Sequence, residues 1–366
     1  MQTLTGISVA DRAAGALMGA FIGDALALGP HWYYDLDQLR ARYGAWIADY
    51  TDPCADHYHA GMKAGQSSQS GLLLRLLLES LAACEAYDEA DFCRRLDEEF
   101  FPLLNGEAMA GPGGYTSQSM RSAWRKRVVE GLPWGEVASN ADNTEAAERC
   151  LALAVRYALQ PAQLAQQVSA NTVLTQDDGT VLAMTVAFSA VLGMLVEGHA
   201  LDEALSGKLM ARVQDGSLPF HSIAAGKLQP PAPGKALLPA AGNFPSPDAL
   251  LTPSAIARAA HDSDIRIEPA WKVSLVYGMP CAVYHQFPPA YYLAARFADD
   301  FSAAVLHAVN GGGQNMARAM LTGALVGAQV GVQGIPQRFI DGLEDHAALL
   351  ALVHKVAAQA AADRKQ

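Results

Sequence analysis

Two polar segments near the N-terminus contain residue types that can do chemistry. Asp24 ends an apolar, Gly/Ala-rich helix pattern, where a buried carboxylate is costly unless it is paired or functional. The second segment, residues 58–70, contains His59 and leads into a strongly apolar helix pattern. The N-terminus of such a helix attracts phosphate or carboxylate, although plain capping by Ser68 or Ser70 is an equal alternative. The ligand-binding candidates here are Gly65, Gln66, Ser67, Ser68 and Gln69.

Two further loops are rich in glycine. Residues 111–118 (GPGGYTSQ) either let backbone amides approach a ligand, with Tyr115 as the candidate contact, or form a plain surface loop. Residues 310–315 (NGGGQN) precede a Gly/Ala-rich helix pattern and suggest a second ligand cradle. The spaced small residues of that pattern, Gly323 to Ala328, predict close packing against another helix. The candidates from this loop are Gly312, Gly313, Gln314 and Asn315.

Cys281 and His285 lie shortly before a predicted helix. A histidine with a carboxylate partner can do general acid–base chemistry without a metal near neutral pH. A Cys–His pair can instead act as a nucleophile, so both alternatives stay open. The catalytic candidates are Asp24, His59 (with His57 as its alternative) and His285, and Cys281 is a candidate ligand contact.

The elements that must position these residues are predicted to be helices. Hydrophobic residues make up 51% of the 366 and are mostly Leu and Ala, which lose little freedom in a helix. An extended stretch is expected only at 272–277 (KVSLVY). We expect one domain, 1–366, with an irregular insertion at about 217–253 that holds eight of the 19 prolines. Predicted helices cover 71–86, 144–157, 161–170, 180–197, 201–213, 289–298, 316–330 and 346–362.

Charge and cysteine usage argue against several classes of partner. The net charge is −11, which repels nucleic-acid backbones and anionic membrane surfaces. Five widely spaced cysteines without a CxxC pair favour free thiols in a reducing compartment. The apolar stretch 13–28 is too short and too polar to span a membrane, and no basic segment precedes it. We therefore expect a cytoplasmic protein with no nucleic-acid or membrane partner.

Two stretches resemble the ADP-ribosylglycohydrolase family. Residues 13–30 (AAGALMGAFIGDALALGP) are similar to its opening helix, and residues 308–343 (AVNGGGQNMARAMLTGALVGAQVGVQGIPQRFIDGL) to its C-terminal signature. Residues 143–157 and 169–193 resemble its central helices more loosely. The resemblance implies an all-α, orthogonal multi-helix bundle with one central cleft. It also implies the family activity, which is cleavage of ADP-ribose from an acceptor. The implied partner is a small ribosyl or nucleotide ligand, with an ADP-ribosylated protein as a further option.

The chain departs from the family at its metal-binding motifs. Typical members hold two magnesium ions with Thr-Asp-Asp-Thr early in the chain and Asp-x-Asp-Thr late. The matching residues here are Gly65-Gln66-Ser67-Ser68 and Gln314-Asn315-Met316-Ala317, which contain no carboxylate. Magnesium prefers carboxylate oxygen and avoids thioether sulfur, and two neighbouring dications need negative charge between them. We therefore predict no metal site and no cofactor, although the family would imply magnesium.

Three functional hypotheses follow. The first is hydrolysis of a glycosidic bond of an ADP-ribose-like or other ribosyl ligand without dinuclear magnesium, which requires another acid and base. The alternative is a catalytically inactive pseudoenzyme that binds ADP-ribose or a nucleotide. The third is a structural role, because a related branch of the family serves as an eye-lens protein.

Overall fold

The computed structural model describes residues 6–105, 117–220 and 248–362, and this part of the chain is built from α-helices. It contains no strand beyond two isolated bridges, so the predicted all-α class is confirmed. The sixteen α-helices within these ranges are α1 Val9–Leu28, α2 Leu36–Tyr43, α3 Gln69–Cys84, α4 Glu89–Arg95, α5 Gln118–Trp124, α6 Glu145–Arg156, α7 Pro161–Thr172, α8 Gly179–Glu197, α9 Leu205–Gln214, α10 Asp248–His261, α11 Val273–Tyr277, α12 Val283–Arg296, α13 Phe301–Val309, α14 Asn315–Val330, α15 Gln337–Asp341 and α16 His346–Ala362.

The two helices that contain the family-like motifs pack directly against each other. In α1 and α14, glycines face glycines, so that a Cβ atom at Gly19 would lie 2.1 Å from the carbonyl oxygen of Gly323. A Cβ at Gly15 would lie 2.2 Å from the Gly327 oxygen. The predicted small-residue packing of α14 is thereby confirmed. Because this contact runs along both helices, it fixes Asp24 near the C-terminal end of α1 and Gln314 just before α14.

Helix α8 lies at the centre of the core. By length and composition it is the one helix in the described ranges that could cross a membrane, but 83% of its apolar window is buried inside the protein. It contacts α6, α7 and α10, and nearly all of its residues from Val181 to Val196 are buried. A helix that is apolar all round is expected in the core of a large helical domain.

Two predictions about local structure were wrong. The stretch 272–277 forms the end of a 3-10 turn and then α11, not a strand. Its side chains are buried and exposed in pairs (Val273 and Ser274 against Leu275 and Val276), whereas a strand would alternate them. The predicted insertion also extended too far at its C-terminal end, because α10 begins at Asp248 and includes Pro253. Residues 221–247 of the insertion lie outside the described residues.

Candidate functional site

The N-terminal ends of α3, α6 and α14 meet around one small cavity. Hydroxyl and amide side chains dominate its polar lining, and two carboxyl groups join them. No lysine or arginine lines it within the part of the chain that the structure describes. The polar lining residues are His31, Ser68, Gln69, Ser70, Ser117, Asn143, Thr144, Glu145, Glu148, Cys281 and Gln314; the apolar ones include Leu73, Phe100, Met120 and Met316.

Asp24 lies immediately behind this lining and holds Ser68, which is the N-cap of α3 and accepts a hydrogen bond from the Ser70 amide. Its carboxylate accepts hydrogen bonds from the Ser68 amide at 2.8 Å and from the Ser68 hydroxyl at 2.5 Å. Burial raises the pKa of Asp24 to about 6, and the hydrogen bonds from Ser68 and the Gly71 amide oppose that shift. The anion expected at this helix N-terminus is therefore a side chain of the protein itself.

Glu148 is the cavity carboxyl that lacks a cationic partner. The Thr144 hydroxyl donates to its Oε1 at 2.5 Å, and Ser70 also bonds to it. Burial raises its pKa to about 7, and the nearby charges of Glu145 and Asp24 act in the same direction. No basic side chain among the described residues forms an ion pair with it. Such a carboxyl can exchange a proton near neutral pH.

Glu145, one turn away on α6, is different because its charge is compensated. It forms an ion pair with the buried Arg149 and accepts hydrogen bonds from Ser119 and Thr175. Arg149 also donates to the Asn171 side chain at 2.7 Å. A buried pair with this many satisfied donors and acceptors is structural in character.

Two histidines form a hydrogen-bonded chain at the side of the cavity. His31 Nδ1 lies 2.7 Å from His59 Nε2, and His31 Nε2 lies 3.0 Å from Gln314 Oε1. Because the amide oxygen can only accept, His31 carries its proton on Nε2, and its Nδ1 then accepts the His59 proton. Burial lowers the pKa of His31 to about 4, so this imidazole is neutral near neutral pH.

The glycine loop before α14 positions other loops instead of offering its amides to a ligand. The Gly312 amide donates to Val309, the Gly313 amide to Tyr33 at 2.7 Å, and the Gln314 amide to Met279. Both Gly312 and Gly313 have positive φ, and a Cβ at Gly313 would lie 2.6 Å from the Met279 Cβ. The glycines thus allow three segments to meet closely and fix the position of Gln314.

Arg318 also holds the glycine loop in place, through hydrogen bonds from its buried side chain. Its guanidinium is fully buried and donates to the carbonyl of Ala308 at 3.0 Å, to Gly312 and to the Gln286 side chain. All three acceptors are neutral, and burial lowers its pKa to about 9. The internal cation ties the end of α13 and the start of α14 to α12.

The structure brings some of the predicted site residues together and separates others. Ser68, Gln69, Cys281 and Gln314 line the cavity, with Asp24 and His59 directly behind it. Tyr115 lies outside the described residues. The remaining candidates are not part of the lining: Gly65, Gln66, Ser67, His285, Gly312, Gly313 and Asn315.

Hydrogen bonds explain why several of these remaining candidates do not line the cavity. The Gln66 amide group donates to Glu344 at 2.9 Å, on the outer side of the loop. His285 Nδ1 bonds to the Tyr277 carbonyl at 2.7 Å, which turns the imidazole toward α11. Asn315 donates to the carbonyls of Pro30 and Val309 and so fastens the loops behind the cavity.

The residues at the family's metal positions do not fit magnesium. Gln314 already uses its amide oxygen as the acceptor for His31, and Met316 offers only a thioether. In the described ranges, no three His, Cys, Asp or Glu side chains are grouped so that they could hold a metal ion.

Sequence reasoning missed the residues that α6 brings to the cavity. In the sequence, Thr144 and Glu148 resemble the cap and the first turn of an ordinary helix, where acidic residues are common. A signal was available in the sequence for Glu148, because Leu151 and Ala152 follow it by three and four residues and therefore share its face of the helix. A charged residue within an apolar face is unusual enough to mark a site.

Comparisons with known proteins agree on one family. A family model described as ADP-ribosylglycohydrolase matches residues 5–366. A solved structure titled "ADP-ribosylglycohydrolase-related protein complex" has a TM-score of 0.59 and 17% sequence identity, with 96% of this chain and 99% of that chain covered. A search of curated proteins gives no match.

Proposed function

Because the chain belongs to the ADP-ribosylglycohydrolase family, we propose that it hydrolyses a glycosidic bond of an ADP-ribose-like or other ribosyl ligand without dinuclear magnesium. The observation that carries the proposal is Glu148, a buried carboxyl that lines the cavity without a cationic partner. It supplies a proton acceptor where the residues at the metal positions are neutral. Glycosidic hydrolysis requires such a group to activate water.

The sequence-derived candidates Asp24 and His59 act in this proposal as positioning residues. Asp24 holds Ser68 and the start of α3, while His59 holds the neutral His31 beside Gln314. Neither side chain lines the cavity, so neither contacts the reacting atoms directly. His285 faces away from the cavity and takes no step.

The ligand in this proposal is the hydroxyl-bearing sugar part of a small ribosyl compound, a nucleotide or an ADP-ribosylated protein. Neutral hydroxyl and amide side chains suit hydrogen bonding to sugar hydroxyls, and no basic side chain in the described lining would hold a phosphate there. The family model supports a substrate of the ADP-ribosylated class.

Calorimetric titration with ADP-ribose, once with magnesium and once with EDTA, tests the metal-free site. Equal affinity in both buffers is expected. Binding that requires magnesium would restore the ordinary family mechanism and overturn the proposal. Absence of binding in both buffers would mean that the cavity recognises another ligand.

The second candidate function is a binding protein without turnover. The observation that favours it is the neutral Gln314 and Met316 at the metal positions, which recognise a ligand by hydrogen bonding and packing alone. This candidate predicts ADP-ribose binding in EDTA, but no release of product from ADP-ribosylated peptides or from p-nitrophenyl riboside.

A further inference from the structure

Within the described residues, the enclosed part of the cavity has room for one ordered water. Its volume is about 20 Å³, slightly more than the minimum of about 10–15 Å³ that one water requires, and the ligand of the proposed function would reach this water from the open side of the cavity. A buried water also needs two to four polar partners. Polar lining atoms that have no other hydrogen-bond partner are therefore the candidates to bind this water.

Gln69 has an amide oxygen without a hydrogen-bond partner in the described part of the chain. The residue is the first of α3, is only 5% exposed and lines the cavity. A buried acceptor without a donor costs stability, so an uncommitted oxygen in a polar cavity indicates a binding position. Glu148 lines the same cavity and accepts from Thr144 through Oε1.

We infer that Gln69 is a positioning residue that holds the attacking water against Glu148. The water donates one proton to Gln69 Oε1 and the other to the Glu148 carboxylate. Both protons are then directed at the protein, and a lone pair of the water oxygen is left to face the ligand. This inference rests on the proposed function, because it assigns the water of that hydrolysis.

The reaction balances with water as the only co-reactant. The water oxygen forms a bond to the anomeric carbon while the glycosidic bond breaks, and the bonding pair leaves with the acceptor group. Glu148 takes one proton from the water. The leaving group gains a proton from Glu148 or from solvent, which gives free ribosyl product and the protonated acceptor.

The variant Gln69→Leu tests the water position with little change in side-chain size. For p-nitrophenyl riboside we expect kcat to fall at least tenfold while KM stays within about twofold, because the ligand is bound but its nucleophile is misplaced. In buffer with added methanol, the ratio of methyl riboside to free ribose should rise in the variant. Methanol and water compete as nucleophiles, and the variant no longer holds a water in the attacking position.

The control is Gln329→Leu, at the far end of α14. Gln329 is also a buried glutamine, and it donates to the Ala294 carbonyl at 2.9 Å. Its loss is expected to lower the melting temperature without changing the methanol ratio. An unchanged kcat and methanol ratio in Gln69→Leu would overturn the inference and leave the proposed function standing.

A high-resolution crystal structure of the wild-type protein separates the two proposals. An ordered water within about 3.2 Å of both Gln69 Oε1 and a Glu148 oxygen is expected. A structure without that water would overturn the inference even if the protein hydrolyses the riboside. A wild-type protein with no hydrolysis in EDTA would instead overturn the proposed function, and with it the role of that water as nucleophile.

Discussion

At the scale of single residues, the site depends on carboxyl groups that sit in different surroundings. Asp24 is held by two bonds from Ser68, Glu145 by Arg149, and Glu148 by hydroxyl groups alone. All three are buried, yet only Glu148 both lines the cavity and lacks a compensating cation. Differences in environment, and not in residue type, separate the structural carboxylates from the candidate base.

The Asp24→Asn variant should destabilise the protein by about 1–3 kcal/mol. The asparagine oxygen can still accept from the Ser68 amide, but its NH₂ would face the Ser68 hydroxyl, which loses its charged acceptor and must reverse from donor to acceptor. Urea unfolding at pH 8 measures the change. The control Asp178→Asn, at the more exposed N-cap of α8, should cost a few tenths of a kcal/mol. Equal effects of the two substitutions would contradict the role of Asp24.

The pH dependence of stability should report Glu148. Its pKa is raised from 4.5 to about 7 by folding, so its contribution is fully present below pH 4.5 and is lost as the pH rises through 7. Between pH 8 and 6.5 the wild type should gain roughly 1 kcal/mol relative to Glu148→Gln. The pKa of Asp24 is also raised, so its contribution changes with pH in the same direction, but Asp24 is present in both proteins and its contribution cancels. Urea unfolding curves that shift in parallel for the two proteins would refute this assignment.

The pH range ends at 6.5 because the stability that His31 contributes changes with pH in the opposite direction to that of Glu148. Its pKa is lowered from 6.5 to about 4, so the stability from keeping it neutral is present above 6.5 and is lost as the pH falls through 4. His31, His57 and His307, whose pKa values burial lowers, are present in both proteins, so the difference between wild type and Glu148→Gln reports Glu148.

At the scale of elements, the contact between α1 and α14 controls where the site residues lie. The Gly19→Ala variant should lose about 1–3 kcal/mol, because its Cβ would overlap the Gly323 carbonyl at 2.1 Å. Gly207→Ala on α9 is the matched control, since nothing lies within 4 Å of its Cβ, and alanine there should stabilise by about 0.5–1 kcal/mol. Thermal unfolding distinguishes them, and similar melting temperatures would contradict the packing.

The helices that sequence reasoning placed well are those with long apolar or small-residue patterns. Helices α3, α8, α14 and α16 begin and end within about two residues of the predicted bounds. The failures lie where the pattern is short or contains proline. Helix α12 begins at Val283, six residues before the prediction, because two internal prolines made its first half look non-helical.

At the scale of the whole molecule, the fold was predictable because each of its two main motifs is a continuous stretch of sequence. These two stretches contain α1 and α14, which contact each other. The cavity was less predictable, because it joins the starts of helices that are far apart in the chain. Ser68, Glu148 and Gln314 meet only through packing of α3, α6 and α14. Spacing in the sequence does not determine such contacts, so Glu148 was missed, whereas His285 was included although it faces elsewhere.

In this family member, we propose that a protein carboxyl replaces metal chemistry. Release of product from ADP-ribosylated peptides and p-nitrophenyl riboside, measured in EDTA for the wild type and Glu148→Gln, tests it most directly. Glutamine keeps the volume and can still accept from Thr144, but it cannot take a proton. We predict wild-type turnover in EDTA and at least a hundredfold loss in the variant. Turnover that appears only with magnesium, or that is equal in both proteins, would contradict the claim.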